Sequence, residues 1–176
     1  GRLGEAGPRR RGQDPTGAQP GEGGEQAEPS AHHRLLRCEA WQLGATEVTL
    51  QGGIHPDFDG DYYIDVARAV KTAVPEMHIH GFTALEVTEG AKRLGEPLHD
   101  YIIRLKEAGL ASLPGTAAEI LDDDVRAIIC SDKINTEEWL ECHRVAHQAG
   151  LRSNITIMFG SVEHPVSWAK HIVRTR

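Results

Sequence analysis

Only three cysteines occur in the 176 residues, and Cys38, Cys130 and Cys142 are too few and too far apart to form a disulfide framework. They read as reduced thiols of a cytoplasmic protein. No apolar run approaches the ~18 residues that a membrane-spanning helix needs, and the opening stretch lacks the apolar core of a secretory signal. Basic residues are in the minority, 19 Lys and Arg against 26 Asp and Glu, for a formal net charge of −7. A nucleic-acid groove, which needs clustered cations against phosphates, is therefore not expected, and neither is a membrane partner. Aromatic residues make up 5% of the chain, and none precedes Trp41.

Residues 1–34 are dominated by Gly, Pro and charge, and up to residue 33 they hold no Val, Ile, Met or Cys. A segment of that kind cannot bury enough apolar surface to offset its ordering entropy, which predicts disorder. The folded unit spans 35–176. Within it, Glu47–Gln51 (EVTLQ), Met77–Phe82 (MHIHGF), Leu110–Leu113 (LASL) and Asn154–Phe159 (NITIMF) read as strands. Helices alternate with them. Tyr63, Val66, Ala67, Val70 and Val74 share one face, as do Leu98, Tyr101, Ile102, Leu105 and Ala108 before Gly109. Thr83 with Glu86 and Asn135 with Glu138 fit capping boxes, and a last helix starts at Pro165. Strand and helix repeated four times predict an α/β fold with parallel strands and right-handed crossovers, either an open doubly wound sheet or a (β/α) barrel. The chain is shorter than the ~250 residues of an eight-unit barrel, so a partial barrel of about four strands fits.

In both architectures ligands bind at the carboxyl ends of the strands. The first such end is Gln51-Gly52-Gly53-Ile54-His55-Pro56, where paired glycines allow close backbone approach and free N–H groups for a ligand. The second carries His78 and His80 on one face, a pair suited to acid and base work; no Asp or Glu pattern beside them completes a metal site, and no metal ligand is assigned. The third, Ser112-Leu-Pro-Gly-Thr-Ala-Ala-Glu119, makes a tight turn in which Thr116 can cap a helical turn and Glu119 faces a pocket or solvent. The fourth is Met158-Phe-Gly160-Ser161. Asp122, Asp123 and Asp124 read as a solvated helix start, and Trp139, Cys142, Ala146 and Ala149 as core.

Gln51–Gly60 (QGGIHPDFDG), His78–Phe82 (HIHGF), Ser112–Leu121 (SLPGTAAEIL) and Thr156–Gly160 (TIMFG) resemble the radical S-adenosylmethionine enzymes that make the deazaflavin chromophore FO, above all their tyrosine-using branch. The likeness runs over about residues 38–176. Two menaquinone-pathway families, aminofutalosine synthase and dehypoxanthine futalosine cyclase, are similar at QGG and HP and less so beyond. The resemblance implies a radical SAM barrel, S-adenosylmethionine and a [4Fe-4S] cluster as cofactors, and tyrosine and 5-amino-6-(D-ribitylamino)uracil as substrates. A second radical SAM domain or subunit is the implied partner in FO synthesis. It further implies that Gly52 and Gly53, with Thr116, Met158 and Gly160, meet the cofactor, and that Gln51, His55, His78, His80 and Glu119 contact substrate or handle protons. Two features depart from the family. The cluster motif CxxxCxxC is absent, and Thr83-Ala84 and Ser161 stand where relatives carry Ser-Pro and His. The expectation is an internal piece of such an enzyme, inactive and poorly stable alone, with an inner sheet face rich in apolar groups. A menaquinone-pathway enzyme, an inactive remnant or binding module, and a hydrolase with metal on the histidines are the alternatives.

Overall fold

A computed structural model describes residues 39–176; the segment read as disordered, and Cys38, lie outside that range. The alternation of side chains along the strands separates the two faces of the sheet. In His78–Gly81 (β2), Ile79 is fully buried while His78 and His80 are half-buried on the other side. Glu47–Leu50 (β1) follows the same period, with Val48 and Leu50 packed on the core and Glu47 and Thr49 turned away. Leu110–Leu113 (β3) and the two-residue strand Arg152–Ser153 (β4) complete a sheet in the order β1-β2-β3-β4, every pair parallel. Strand order equal to chain order means that the crossovers all step the same way. That is the winding of a (β/α) barrel wall, whereas a doubly wound sheet reverses direction.

Helices Gly60–Ala73 (α1), Ala84–Leu94 (α2), Leu98–Glu107 (α3), Asp123–Ile129 (α4), Thr136–Gln148 (α5) and Pro165–Arg174 (α6) connect and flank the strands. The core lies between sheet and helices and includes Ile64, Ala67 and Val70 of α1, Val87 of α2, Tyr101 and Leu105 of α3, and Trp139 and Cys142 of α5. Both capping boxes are present, at Thr83/Glu86 and Asn135/Glu138. Helices α1 and α2 approach closely at two glycines: a Cβ on Gly60 would lie 2.4 Å from the Gly90 carbonyl oxygen. Tyr101 locks the same junction, its hydroxyl donating to the Gly60 carbonyl at 2.7 Å.

Three expectations need correction. The fourth strand is Arg152–Ser153 and not residues 154–159, because Asn154 and Thr156 spend their side chains on Gly115: its N–H donates to Asn154 Oδ1, and its carbonyl accepts from the Thr156 hydroxyl at 2.6 Å. Ile155, Ile157, Met158 and Phe159 are left exposed. The inner face is polar, with Glu47, Thr49, His78, His80, Ser112 and Arg152 where apolar groups were expected; the register pairs Glu47 with His78, Thr49 with His80, and Ser112 with both His80 and Arg152. The acidic triplet is a solvated start at Asp123 and Asp124, exposed on the first turn of α4, but not at Asp122. Asp122 is buried against the Lys170 ammonium, which holds its carboxyl below the usual range, and Asp123 accepts the Thr136 N–H at 2.9 Å.

Candidate functional site

At the end of β1 the chain leaves the ladder, and the turn that follows is organised by one distant carboxylate. Glu86, 1% exposed on the first turn of α2, accepts the Gly52 N–H (2.7 Å) and the Gly53 N–H (2.8 Å) on Oε1, and the Thr83 N–H (2.7 Å) on Oε2. The residue that closes the capping box thus also fixes the glycine turn, a role that spacing alone does not reveal. The glycine N–H groups are consequently not free for a ligand, contrary to expectation. Tyr63 donates its hydroxyl to the Gly53 carbonyl at 3.1 Å, and burial together with the Glu86 charge pushes its phenol up to about 12. The phenol therefore stays a neutral donor. Outside the turn there is room: a Cβ on Gly53, whose φ is +71°, meets nothing within 4 Å, and one on Gly52 meets only Glu86 Oε1 at 3.7 Å. With its N–H groups taken by Glu86, the polar groups the turn has left are its carbonyl oxygens, and that of Gly53 already accepts from Tyr63.

His55 stays within its own loop, accepting the Asp57 N–H on Nδ1 at 3.2 Å and packing on Phe58. That loop is held from α2 by Arg93, whose guanidinium donates to the carbonyls of His55 (2.6 Å) and Phe58. Gln51 is exposed just before the turn. His78 and His80 are brought together by a residue the sequence reading passed over. Ser112 Oγ lies 2.8 Å from His78 Nε2 and 2.7 Å from His80 Nδ1, because a register shift between β2 and β3 sets Ser112 opposite His80. Glu47 stands 3.6 Å from His78 Nε2, and Asn154 Nδ2 3.3 Å from His80 Nε2. Glu47 was legible in principle, since it sits two residues before Thr49 on the same strand face.

The remaining candidates lie in the neighbouring loops. Thr116 caps nothing: its hydroxyl is buried without a partner, and its carbonyl accepts the Trp139 indole N–H at 3.3 Å. Glu119 pairs with Lys133, and its carbonyl accepts the Met158 N–H at 2.9 Å, so these two loops touch. Gly160 and Ser161 donate their N–H groups to Glu163, whose carboxyl is drawn down to about 2 by backbone N–H groups, its own first, and by the Trp168 indole. A carboxylate therefore gathers the backbone donors at this loop as Glu86 does at the first. A cleft of about 350 Å³ between α5 and α6, lined by Trp139, His143, His147 and Arg174, has none of these candidates among its lining residues.

A family model described as the Radical SAM superfamily matches residues 26–172. The chain belongs to the radical SAM superfamily. It is 50% identical over 134 residues to the FO synthase of Streptomyces coelicolor, an alignment covering 76% of this chain and 16% of that protein. It is 42% identical over 139 residues to the 5-amino-6-(D-ribitylamino)uracil–L-tyrosine 4-hydroxyphenyl transferase of Methanopyrus kandleri, covering 79% of this chain and 38% of that protein. The chain thus spans well under half the length of these relatives.

Superfamily membership implies S-adenosylmethionine and a [4Fe-4S] cluster. The turn at Gly52 and Gly53 does not oppose the first: there is open space beside it, and its unfilled polar capacity lies on carbonyl oxygens, which can accept from an ammonium. The cluster does not fit the described residues. Cys130 and Cys142 are buried, burial pushes both thiols up, Cys142 to about 12, and among the described residues no group of three or more His, Cys, Asp or Glu side chains is arranged to hold a metal ion. No described helix is long and apolar enough to cross a membrane.

Proposed function

We propose that this chain contributes the aminoacyl-binding wall of a radical SAM enzyme that joins the 4-hydroxybenzyl part of tyrosine to 5-amino-6-(D-ribitylamino)uracil, the step that builds the deazaflavin chromophore FO. The observation that supports the reading is the Gly52-Gly53 turn, whose N–H groups are taken by Glu86, which leaves carbonyl oxygens as its remaining polar groups, and which has open space beside it. The names borne by relatives at 42–50% identity supply the substrate class. When bound, S-adenosylmethionine supplies the 5′-deoxyadenosyl group that carries the radical. The chain's own residues do the rest: Gly52 and Gly53 seat the ammonium, Glu86 and Tyr63 hold the turn, and the polar inner face with His78 and His80 meets substrate. Gln51, His55 and Glu119 line the approach, with Thr116, Met158 and Gly160 on the loops beside the cofactor. Cytoplasmic placement and a second radical SAM domain or subunit as partner belong to the same proposal.

The test is the full-length protein, prepared without oxygen and supplied with S-adenosylmethionine, a reductant, tyrosine and 5-amino-6-(D-ribitylamino)uracil. The expected outcome is tyrosine-dependent release of 5′-deoxyadenosine and a product that contains both the uracil and the 4-hydroxybenzyl group. Release that is indifferent to tyrosine, or that requires a menaquinone-pathway substrate, would overturn the reading.

A further inference from the structure

Side-chain hydrogen bonds run in one row across the inner face of the sheet, and their direction can be worked out from one end. Asn154 Oδ1 accepts the Gly115 N–H at 2.5 Å, which orients the amide and leaves Nδ2 as the donor to His80 Nε2 at 3.3 Å. With Nε2 accepting, a neutral His80 carries its proton on Nδ1 and donates to Ser112 Oγ at 2.7 Å. Ser112 has one proton of its own, which goes to His78 Nε2 at 2.8 Å. Every bond points the same way, from the carboxyl ends of the strands toward β1. There the half-exposed Glu47 carboxylate waits 3.6 Å from His78 Nε2.

We propose that Ser112 is a positioning residue that joins His80 and His78 into one proton-accepting unit, which moves a proton from the ligand end of the sheet to the Glu47 side. A proton arriving at His80 Nε2 displaces the Asn154 donor, which makes the longest bond of the row. The His80 Nδ1 proton passes to Ser112 Oγ, and the Ser112 proton passes to His78 Nε2. His80 ends neutral with its proton on Nε2, and the positive charge rests on the His78 imidazolium beside the Glu47 carboxylate. No electron moves, and one proton enters for each charge that appears. Arg152, the charged residue in register with Ser112 on the same face, is exposed. Thr49, the β1 partner of His80, is uncharged. The proton donor is an acidic N–H of the substrate, such as the ammonium of an amino acid; only this identity rests on the function proposed above.

The test reads the ring nitrogens directly, by NMR of the full chain labelled with ¹⁵N at histidine and held at a pH where both rings are neutral. The unaltered protein shows His78 and His80 with the proton on Nδ1. Asn154→Asp keeps an acceptor for the Gly115 N–H but turns the far end from donor to acceptor. The row then reverses, and both rings shift to Nε2–H although only His80 touches residue 154. Adding Ser112→Ala to Asn154→Asp leaves the reversal at His80 and abolishes it at His78, whereas Ser112→Thr in place of Ala restores it. A reversal confined to His80 when Ser112 is intact, or Nε2–H rings in the unaltered protein, would overturn the proposal. Because no substrate is present, this result stands apart from the tyrosine reading. In the full-length enzyme Ser112→Ala lowers kcat on the order of 10²-fold with KM for the amino acid unchanged, and Thr restores it; an unchanged kcat would overturn the transfer role.

Discussion

Replacing Glu86 with Ala removes the acceptor of three backbone N–H groups at once. Each bond to the carboxylate is 2.7–2.8 Å long, and Glu86 itself is 1% exposed while its glycine partners lie at the surface. A hydrogen bond to a charged group contributes roughly 1.5–3 kcal/mol, so the three together set an upper limit of about 5–9 kcal/mol. Two effects reduce it. Residues 51–55 are exposed, so water can reach the Gly52 and Gly53 N–H groups once the carboxylate is gone. Burying a carboxylate is also costly, and that cost disappears with it. A net loss of about 2–4 kcal/mol remains, or roughly 5–15 °C in Tm for a unit of this size. Urea or thermal unfolding of the chain measures the total, and amide exchange at Gly52 and Gly53 isolates the turn. Thr83→Ala is the control: it removes the hydroxyl that accepts the Glu86 N–H at 3.2 Å, while the turn keeps its acceptor. It should cost about 1 kcal/mol and leave the glycine amides protected. If Glu86→Ala lies within 0.5 kcal/mol of the unaltered chain, or leaves exchange at Gly52 and Gly53 unchanged, the role given to Glu86 is refuted.

Gly60→Ala should destabilise by about 1–3 kcal/mol, read from unfolding, because its Cβ would fall against the Gly90 carbonyl where neither backbone can yield; Gly95→Ala, with open space around it but φ +67°, should cost about 1–2 kcal/mol through the backbone conformation alone. Burial lowers the proton affinity of His143 and His171 in the folded chain, so the unfolded chain binds more protons as pH drops below about 6.5. Stability should therefore fall with pH in that window and level off once the lowered folded values are passed; unfolding midpoints that do not change between pH 7.5 and about 5 would contradict this. Asp122→Asn should loosen α6 by breaking the Lys170 pair, with faster amide exchange at Ser167 and His171 and little change at Gly52.

Three of the four strands and the two capping boxes were legible because each rests on a local signal: β-rich runs closed by glycine, and oxygen-bearing residues three positions ahead of Glu. The fourth strand was not. NITIMF has more strand propensity than Leu151–Asn154, yet Asn154 and Thr156 bond to the Gly115 backbone and draw the run out of the sheet. The histidine pair and the glycine turn were visible as candidates, while the residues that govern them were not. Glu86 reads as a cap, and its hold on Gly52 and Gly53 needs a contact across 33 or 34 positions. Ser112 and Glu47 gain meaning only from register, and in Ser112's case from the irregularity beside His80, which no spacing rule announces. The polarity of the inner face was missed for the same reason: alternation over four-residue strands does not say which face the helices will cover.

In the proposed function the aminoacyl end of S-adenosylmethionine sits against the Gly52-Gly53 turn. Calorimetric titration of the full-length protein with S-adenosylmethionine measures this through two variants. Gly52→Val fills the open side of the turn and is predicted to weaken binding at least tenfold, about 1.4 kcal/mol or more, while Asp123→Ala, on the first turn of α4, leaves it unchanged. Equal affinities for the two variants would contradict the placement of the site.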